Sequence, residues 1–298
     1  MIEECIHKLL NTKFLSYEIN PPKAVSIGEE LLEELKNWNG FDALICTDAP
    51  LAKFRPSPIL TALKLQNFLK KPIIATLNMR DRNSIALQGE ILGANELDIR
   101  MFLTLTGDPI KLGDQPDAKA VFEGNSSLLI ELINNFNQNK DLNHSLIKGH
   151  IRPIYPFGVI NAHSNNLLSL KNKMRRKIKS GALALFTQPI YDIENAKYLL
   201  DSCEEINQEL QTNAKLVFGY FPILKYKSAQ FLYSKLPGVF VPKIWLEKLE
   251  KAHQRDEEEE HKVGFELSKN LFEKLCNIHH KIHFMNSNKI ELAKKILC

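Results

Sequence analysis

Four junctions in this 298-residue chain place reactive side chains directly after short apolar runs. The first is Ser16-Tyr17-Glu18-Ile19-Asn20-Pro21-Pro22-Lys23, where a carboxylate sits inside an otherwise apolar strand that two prolines then stop. Glu18 alternates with Tyr17 and Ile19, so it points to the other face of the strand. Two readings are open: an interior acid satisfied by a Lys or Arg, or a carboxyl group withdrawn from water and used as a general acid.

The second junction is Thr47-Asp48-Ala49-Pro50, and the next is Thr104-Leu105-Thr106-Gly107-Asp108-Pro109. A glycine between Thr106 and Asp108 lets a ligand approach the backbone closely, although the same letters also make an ordinary turn. Thr187-Gln188-Pro189 carries the same ambiguity. Before it runs a basic stretch, Lys171, Lys173, Arg175, Arg176, Lys177 and Lys179, which would suit a phosphate or a solvated helix face. No aromatic residues interleave it, which argues against nucleic acid. His279-His280-Lys281-Ile282-His283 crosses a predicted helix-to-strand boundary with no carboxylate placed beside it, which disfavours zinc. The acids at 256–260 are expected in a solvated helix or loop.

The elements that must position these groups follow from periodicity. Eight stretches have strand character: 14–19, 42–47, 73–79, 101–107, 151–160, 183–188, 215–221 and 281–286. Helical patterns lie between them, including Ile27, Leu31, Leu32, Leu35 and Trp38 on one face, and Ala196, Leu199, Leu200 and Cys203 after a cap at Asp192. Alternating apolar strands and helices, repeated eight times in this length, predict an α/β fold, a single (β/α)₈ TIM-type barrel over residues 1–298. The alternative, an open doubly wound sheet, is disfavoured because neither glycine-rich phosphate cradle is present. The long interval from Pro222 to His280 is predicted to hold extra helices near 242–252 and 257–278. In a barrel, chemistry belongs at the C-terminal strand ends, where all four junctions fall.

Composition is that of an ordinary globular protein, 44% hydrophobic and 25% charged. The net charge of +4 is too small to point to a nucleic acid or a membrane. The N-terminus MIEECIHKLLNTK lacks the basic start and apolar stretch of a signal peptide, and no run is long enough to span a membrane. Cys5, Cys46, Cys203, Cys276 and Cys298 form no C-x-x-C pair, so reduced thiols in a cytoplasmic protein are expected.

Taken in order, the segments SYEINPPK (16–23), TDAPLAKFRPSPI (47–59), MRDRNSIALQGEILGANELDIR (79–100), LTGDPIKLGDQPDA (105–118), SGALALFTQPIYD (180–192) and FLYSKLPGVFVP (231–242) resemble the methylenetetrahydrofolate reductase family. The resemblance implies a barrel that binds FAD at its C-terminal face. It implies that NADH or NADPH reduces the flavin and leaves, and that the flavin then reduces 5,10-methylenetetrahydrofolate to 5-methyltetrahydrofolate for methionine synthesis. It implies Glu18 as the general acid on the folate nitrogen and Asp108 as the carboxylate beside flavin and pterin that stabilises a cationic iminium. It makes Gln188 the amide that binds substrate, and Thr47, Thr106, Gly107, Asp108, Arg176 and Lys177 contacts to the flavin or its phosphates.

The chain departs from the family at Thr76-Leu77-Asn78-Met79, where many members read H-L-T-C. The imidazole that contacts the flavin in those members is thus missing, so its hydrogen bond must come from Thr76 or be lost. Ser228 stands where some members carry a folate-contacting amide, and Leu232 where some carry an aromatic. The expected partners are small molecules, folate and a nicotinamide dinucleotide, with a homo-oligomer compatible. Two rivals remain: a proline-dehydrogenase-like flavin barrel, and a flavin- or folate-binding subunit of a larger electron-transfer complex.

Overall fold

Strands whose residues are apolar on both faces bury both faces only when helices cover one side and a closed core fills the other. The computed structural model, which describes residues 1–236 and 238–297, solves this with a closed barrel of eight parallel strands paired in sequence order, β8 returning to β1. The elements run α1 (Ile2–Asn11), β1 (Phe14–Ile19), α2 (Glu29–Asn37), β2 (Ala43–Cys46), α3 (Pro58–Leu69), β3 (Ile73–Asn78), α4 (Ser84–Glu96), β4 (Met101–Leu105), α5 (Ser126–Phe136) and β5 (Tyr155–Ile160). They continue with α6 (Leu167–Lys179), β6 (Ala184–Pro189), α7 (Ile193–Leu210), β7 (Lys215–Tyr220), α8 (Tyr226–Lys235), α9 (Lys243–His253), α10 (Glu257–Ile278), β8 (Lys281–Phe284) and α11 (Ile290–Leu297). The (β/α)₈ expectation holds.

Helix starts follow local chemistry. Ser57 caps α3 ahead of Pro58, and Asn83, Asn125, Asn166, Asp192 and Asp256 each accept a backbone N–H at the start of their helices. Between helices and strands lies a large apolar layer that includes Tyr17, Trp38 and Phe41, with the Tyr17 and Trp38 rings packed edge to face at 5.0 Å. A second cluster fills the N-terminal end of the barrel: Ile2, Cys5, Ile6 and Leu9 of α1 pack against Phe14, Ile45, Met101 and Phe157. The N-terminal segment is therefore an amphipathic plug, pinned by Arg100–Glu3 at 2.6 Å and Lys8–Asp42 at 3.0 Å.

Three expectations need correction. Strand β5 begins at Tyr155, not 151, because Pro153 lacks a ladder donor and Arg152 is drawn to the Glu96 and Asn95 carbonyls. Strand β4 stops at Leu105, since Gly107 turns to φ +100°. The acids at 256–260 are not all solvated: Glu260 is 3% exposed and accepts the Tyr226 N–H at 2.7 Å, starting α8. The two extra helices appear as α9 and α10. Cys298, and Pro237 within the segment 231–242, lie outside the described residues. Among those residues the cysteines are unpaired, and no helix is long and apolar enough to cross a membrane.

Candidate active site

A cavity of about 830 Å³ opens at the C-terminal ends of the strands, within the size range of cofactor and substrate clefts. All four junctions reach it. Glu18, Thr47, Asp108 and Gln188 line it together, joined by Thr76, Thr106, Gly107 and Ser228. Glu18 is half-buried and accepts the Asn20 side-chain amide at 3.0 Å, while Asn20 in turn accepts the Thr47 hydroxyl at 3.0 Å. On its other side stands the buried imidazole of His283, with Nε2 at 3.9 Å from Glu18 and Nδ1 at 3.0 Å from Ser16 Oγ.

The wall that follows β2, β3 and β4 is a connected polar structure. Asp48 is buried and accepts the backbone and side-chain N–H groups of Asn78 at 3.0 and 2.6 Å and Arg82 Nη1 at 2.7 Å. Burial pushes the Asp48 carboxyl above its usual range, a shift that the charge and hydrogen bonds of Arg82 only partly offset. Burial also acts to raise Asp81, but hydrogen bonds from Arg80 and Asn78 outweigh it and leave that carboxyl below the ordinary range. The loop from Ala49 to Ala52 is strained, with left-handed φ at Ala49 (42°), Leu51 (54°) and Ala52 (55°). Its Leu51 N–H donates to Asp108 Oδ2 at 2.8 Å, which holds that carboxylate at the cavity. Gly107 is required here, because a Cβ would lie 2.6 Å from Arg80 Cβ.

The opposite wall is mostly apolar: Val159, Phe186, Phe221, Phe231 and Leu232 line it around Gln188. The Gln188 amide packs under Gly238, where a Cβ would come within 2.4 Å of both Gln188 Oε1 and Asn161 Cγ. Ser228, on α8, reaches the cavity from the solvent side.

Helix α6 divides the basic run among its faces. Lys171 pairs with Glu205, and Arg175 with Glu209 at 2.7 Å, both toward α7. Lys177 turns inward and donates to Ser126 Oγ at the start of α5, whose Ser126 N–H donates to Thr106 Oγ1 at 3.3 Å. Burial, helped by the charges of Arg176 and Lys173, pushes the Lys177 ammonium down to about 8. Neither the exposed Arg176 nor the partly buried Lys177 is among the residues that line the cavity. Thr76 is buried in β3, lines the cavity, and its hydroxyl has no hydrogen-bond partner. Sequence reasoning passed over Asp48, Arg80 and His283 as members of this site. Asp48 stood in the T-D-A-P junction and Arg80 in the MRDRN segment, but His283 was visible only as part of a histidine string.

Several solved structures share this fold. An uncharacterized protein from Clostridium thermocellum that binds two copies of 5-methyl-5,6,7,8-tetrahydrofolic acid aligns with 100% of this chain and 99% of its own, at 16% identity and a TM-score of 0.69. DmoA from Hyphomicrobium sulfonivorans aligns with 96% of this chain and 86% of its own (8% identity, TM-score 0.57). The EDTA monooxygenase EmoA from Chelativorans sp. BNC1 covers 96% and 91% (9% identity, TM-score 0.56). Comparison with curated protein sequences returns no match. The sequence profile of one family, methylenetetrahydrofolate reductase, matches residues 4–298, spanning every junction that meets at the cavity, and the chain belongs to that family.

Proposed function

We propose that this chain reduces 5,10-methylenetetrahydrofolate to 5-methyltetrahydrofolate with NADH or NADPH, using FAD held at the C-terminal face of the barrel, and so supplies methyl groups for methionine synthesis. The observation that carries this reading is the meeting of Glu18, Asp108 and Gln188 on one cofactor-sized cavity in a chain of this family. Folate binding by the Clostridium thermocellum protein, which shares the fold, supports the substrate class.

The residues present fit a flavin. Thr76 offers a buried, unpaired hydroxyl to a ring edge, Gly107 permits close backbone approach, and Lys177 with Ser126 and Thr106 gathers donors where phosphate would sit. Bound there, FAD would supply the hydride chemistry between nicotinamide and the methylene carbon of folate. Thr47 adds a hydroxyl at the cavity wall, and the exposed Arg176 adds charge from the solvent side of α6. Glu18 protonates the folate nitrogen released as the five-membered ring opens. Asp108, fixed by the Leu51 N–H, lays negative charge beside the cationic iminium, while Gln188 and Ser228 orient the pterin. Residues 1–298 act as one catalytic domain in the cytoplasm, where the thiols stay reduced.

The purified chain, supplied with FAD, NADH and 5,10-methylenetetrahydrofolate, is expected to form 5-methyltetrahydrofolate, measured by chromatography. A chain that takes up no FAD, or that oxidises NADH without forming this product, overturns the reading. The second outcome would point to a flavin oxidoreductase of another kind or to an electron-transfer subunit.

A further inference from the structure

Arg80 takes no part in the chemistry described above, yet it is 2% exposed, bears a permanent charge and lines the cavity. Its Nε and Nη2 fork onto the two oxygens of Asp81, each at 2.6 Å. The rest of the guanidinium is directed at backbone: Nη1 donates to the Asp108 carbonyl at 3.2 Å and Nη2 to the Ala49 carbonyl at 3.3 Å. These carbonyls belong to two different loops, after β4 and β2, which meet where the Leu51 N–H holds Asp108 Oδ2 at 2.8 Å. One rigid group thus grips both partners of the contact that aims the Asp108 carboxylate.

The loops need such a grip. Ala49, Leu51 and Ala52 are held in left-handed backbone, a conformation that persists only where surrounding contacts enforce it. The grip must also be planar and forked: a lysine could meet one of these acceptors but not the carboxylate and two carbonyls at once. Asp81, fixed by Asn78 at 3.1 Å as well as by Arg80, anchors the fork to the end of β3.

We propose that Arg80, paired with Asp81, is a positioning residue for the folate-dependent step. It clamps the Asp108 and Ala49 carbonyls so that the Asp108 carboxylate stays on the Leu51 N–H and faces the substrate. This rests on the role given to Asp108 under the proposed function.

The test compares Arg80→Lys, Arg80→Ala and Asp81→Asn with Asp108→Asn in the FAD-loaded chain, timing flavin reduction by NADH and its reoxidation by methylenetetrahydrofolate separately. In Arg80→Lys, reoxidation is expected to slow by about 10- to 100-fold, the range set by displacing a reacting group by about 1 Å. Flavin reduction should slow far less than reoxidation, and the variant should still melt in one cooperative transition, at a midpoint lowered by the lost fork. Guanidinium ion, but not ammonium at the same ionic strength, should restore reoxidation in Arg80→Ala. Should Arg80→Ala fail to fold, Asp81→Asn replaces it, since it keeps shape, loosens the fork and should slow reoxidation alone.

Wild-type reoxidation in Arg80→Lys, or equal losses in both half-reactions, overturns the inference. If Asp108→Asn slows reoxidation while the Arg80 variants do not, the positioning role fails by itself. If Asp108→Asn also reoxidises at the wild-type rate, the role of Asp108 fails and the positioning role falls with it.

Discussion

The wall built by β1 to β4 and the loops that follow them carries Glu18, Thr47, Asp48, Arg80 and Asp108, whereas the wall from β5 to β8 presents Phe186, Phe221 and Leu232 around Gln188 and His283. On the first wall several of the polar groups are pinned by ion pairs or backbone N–H groups, so their charges are fixed before a ligand arrives. On the second, apolar side chains shape the space and exclude water, which strengthens the charges they face. The difference assigns proton and charge chemistry to one side and fit to the other.

The sharpest way to break that division is Glu18→Gln, which keeps shape and hydrogen bonding but cannot deliver a proton. Steady-state formation of 5-methyltetrahydrofolate should fall by about 10²- to 10⁴-fold. A variant that turns over at the wild-type rate would return Glu18 to a structural acid. Next comes Asp108→Asn, expected to slow the folate half-reaction by roughly 10²-fold through lost stabilisation of positive charge, and to alter NADH oxidation less. Equal losses in both would count against a role at the pterin.

Arg82→Met tests whether the charged wall depends on its pairing. It leaves Asp48 buried without its cation and should cost about 3–5 kcal/mol at neutral pH by urea titration. The sign with pH is fixed. Burial already raises Asp48, so a protonated Asp48 suits the fold better than an unpaired anion, and the loss should shrink as pH falls through its raised pKa. A loss that grows on acidification would contradict this.

The smallest expected effect lies at Lys177. Lys177→Met should weaken FAD binding by about 1.5–3 kcal/mol at pH 7 if the phosphate contact is direct. With its ammonium pushed down to about 8, the free wild-type chain loses that charge as pH rises through this value, and bound phosphate would hold the proton on. Wild-type FAD affinity should therefore fall above about pH 8, with proton uptake on binding, whereas the variant should show no such inflection. Calorimetry in two buffers reads both, and identical pH profiles would place Lys177 away from the phosphates.

Much of this was legible in the letters. Eight apolar runs separated by helical patterns predict a closed barrel, and the carboxylate of Glu18 stands out because strands seldom carry one between apolar neighbours. What was hidden depends on closure. Asp48 meets Arg82 across 34 residues, and nothing local in T-D-A-P says that its acid is buried or that the following backbone turns left-handed. The basic run reads as one patch, but a helix turns about 100° per residue, so adjacent Arg176 and Lys177 end in solvent and in the interior. The N-terminal helix, read only for targeting, plugs the barrel because its Ile2, Cys5, Ile6 and Leu9 share a face.

The most direct measurement is anaerobic absorbance of the FAD-loaded wild-type chain in a stopped-flow instrument, mixed first with NADH and then with 5,10-methylenetetrahydrofolate. The account predicts that the flavin bands bleach in the first mixing and return in the second, with 5-methyltetrahydrofolate formed in the amount of flavin reoxidised. Bands that bleach but do not return with folate, or a chain that never acquires them, would contradict it.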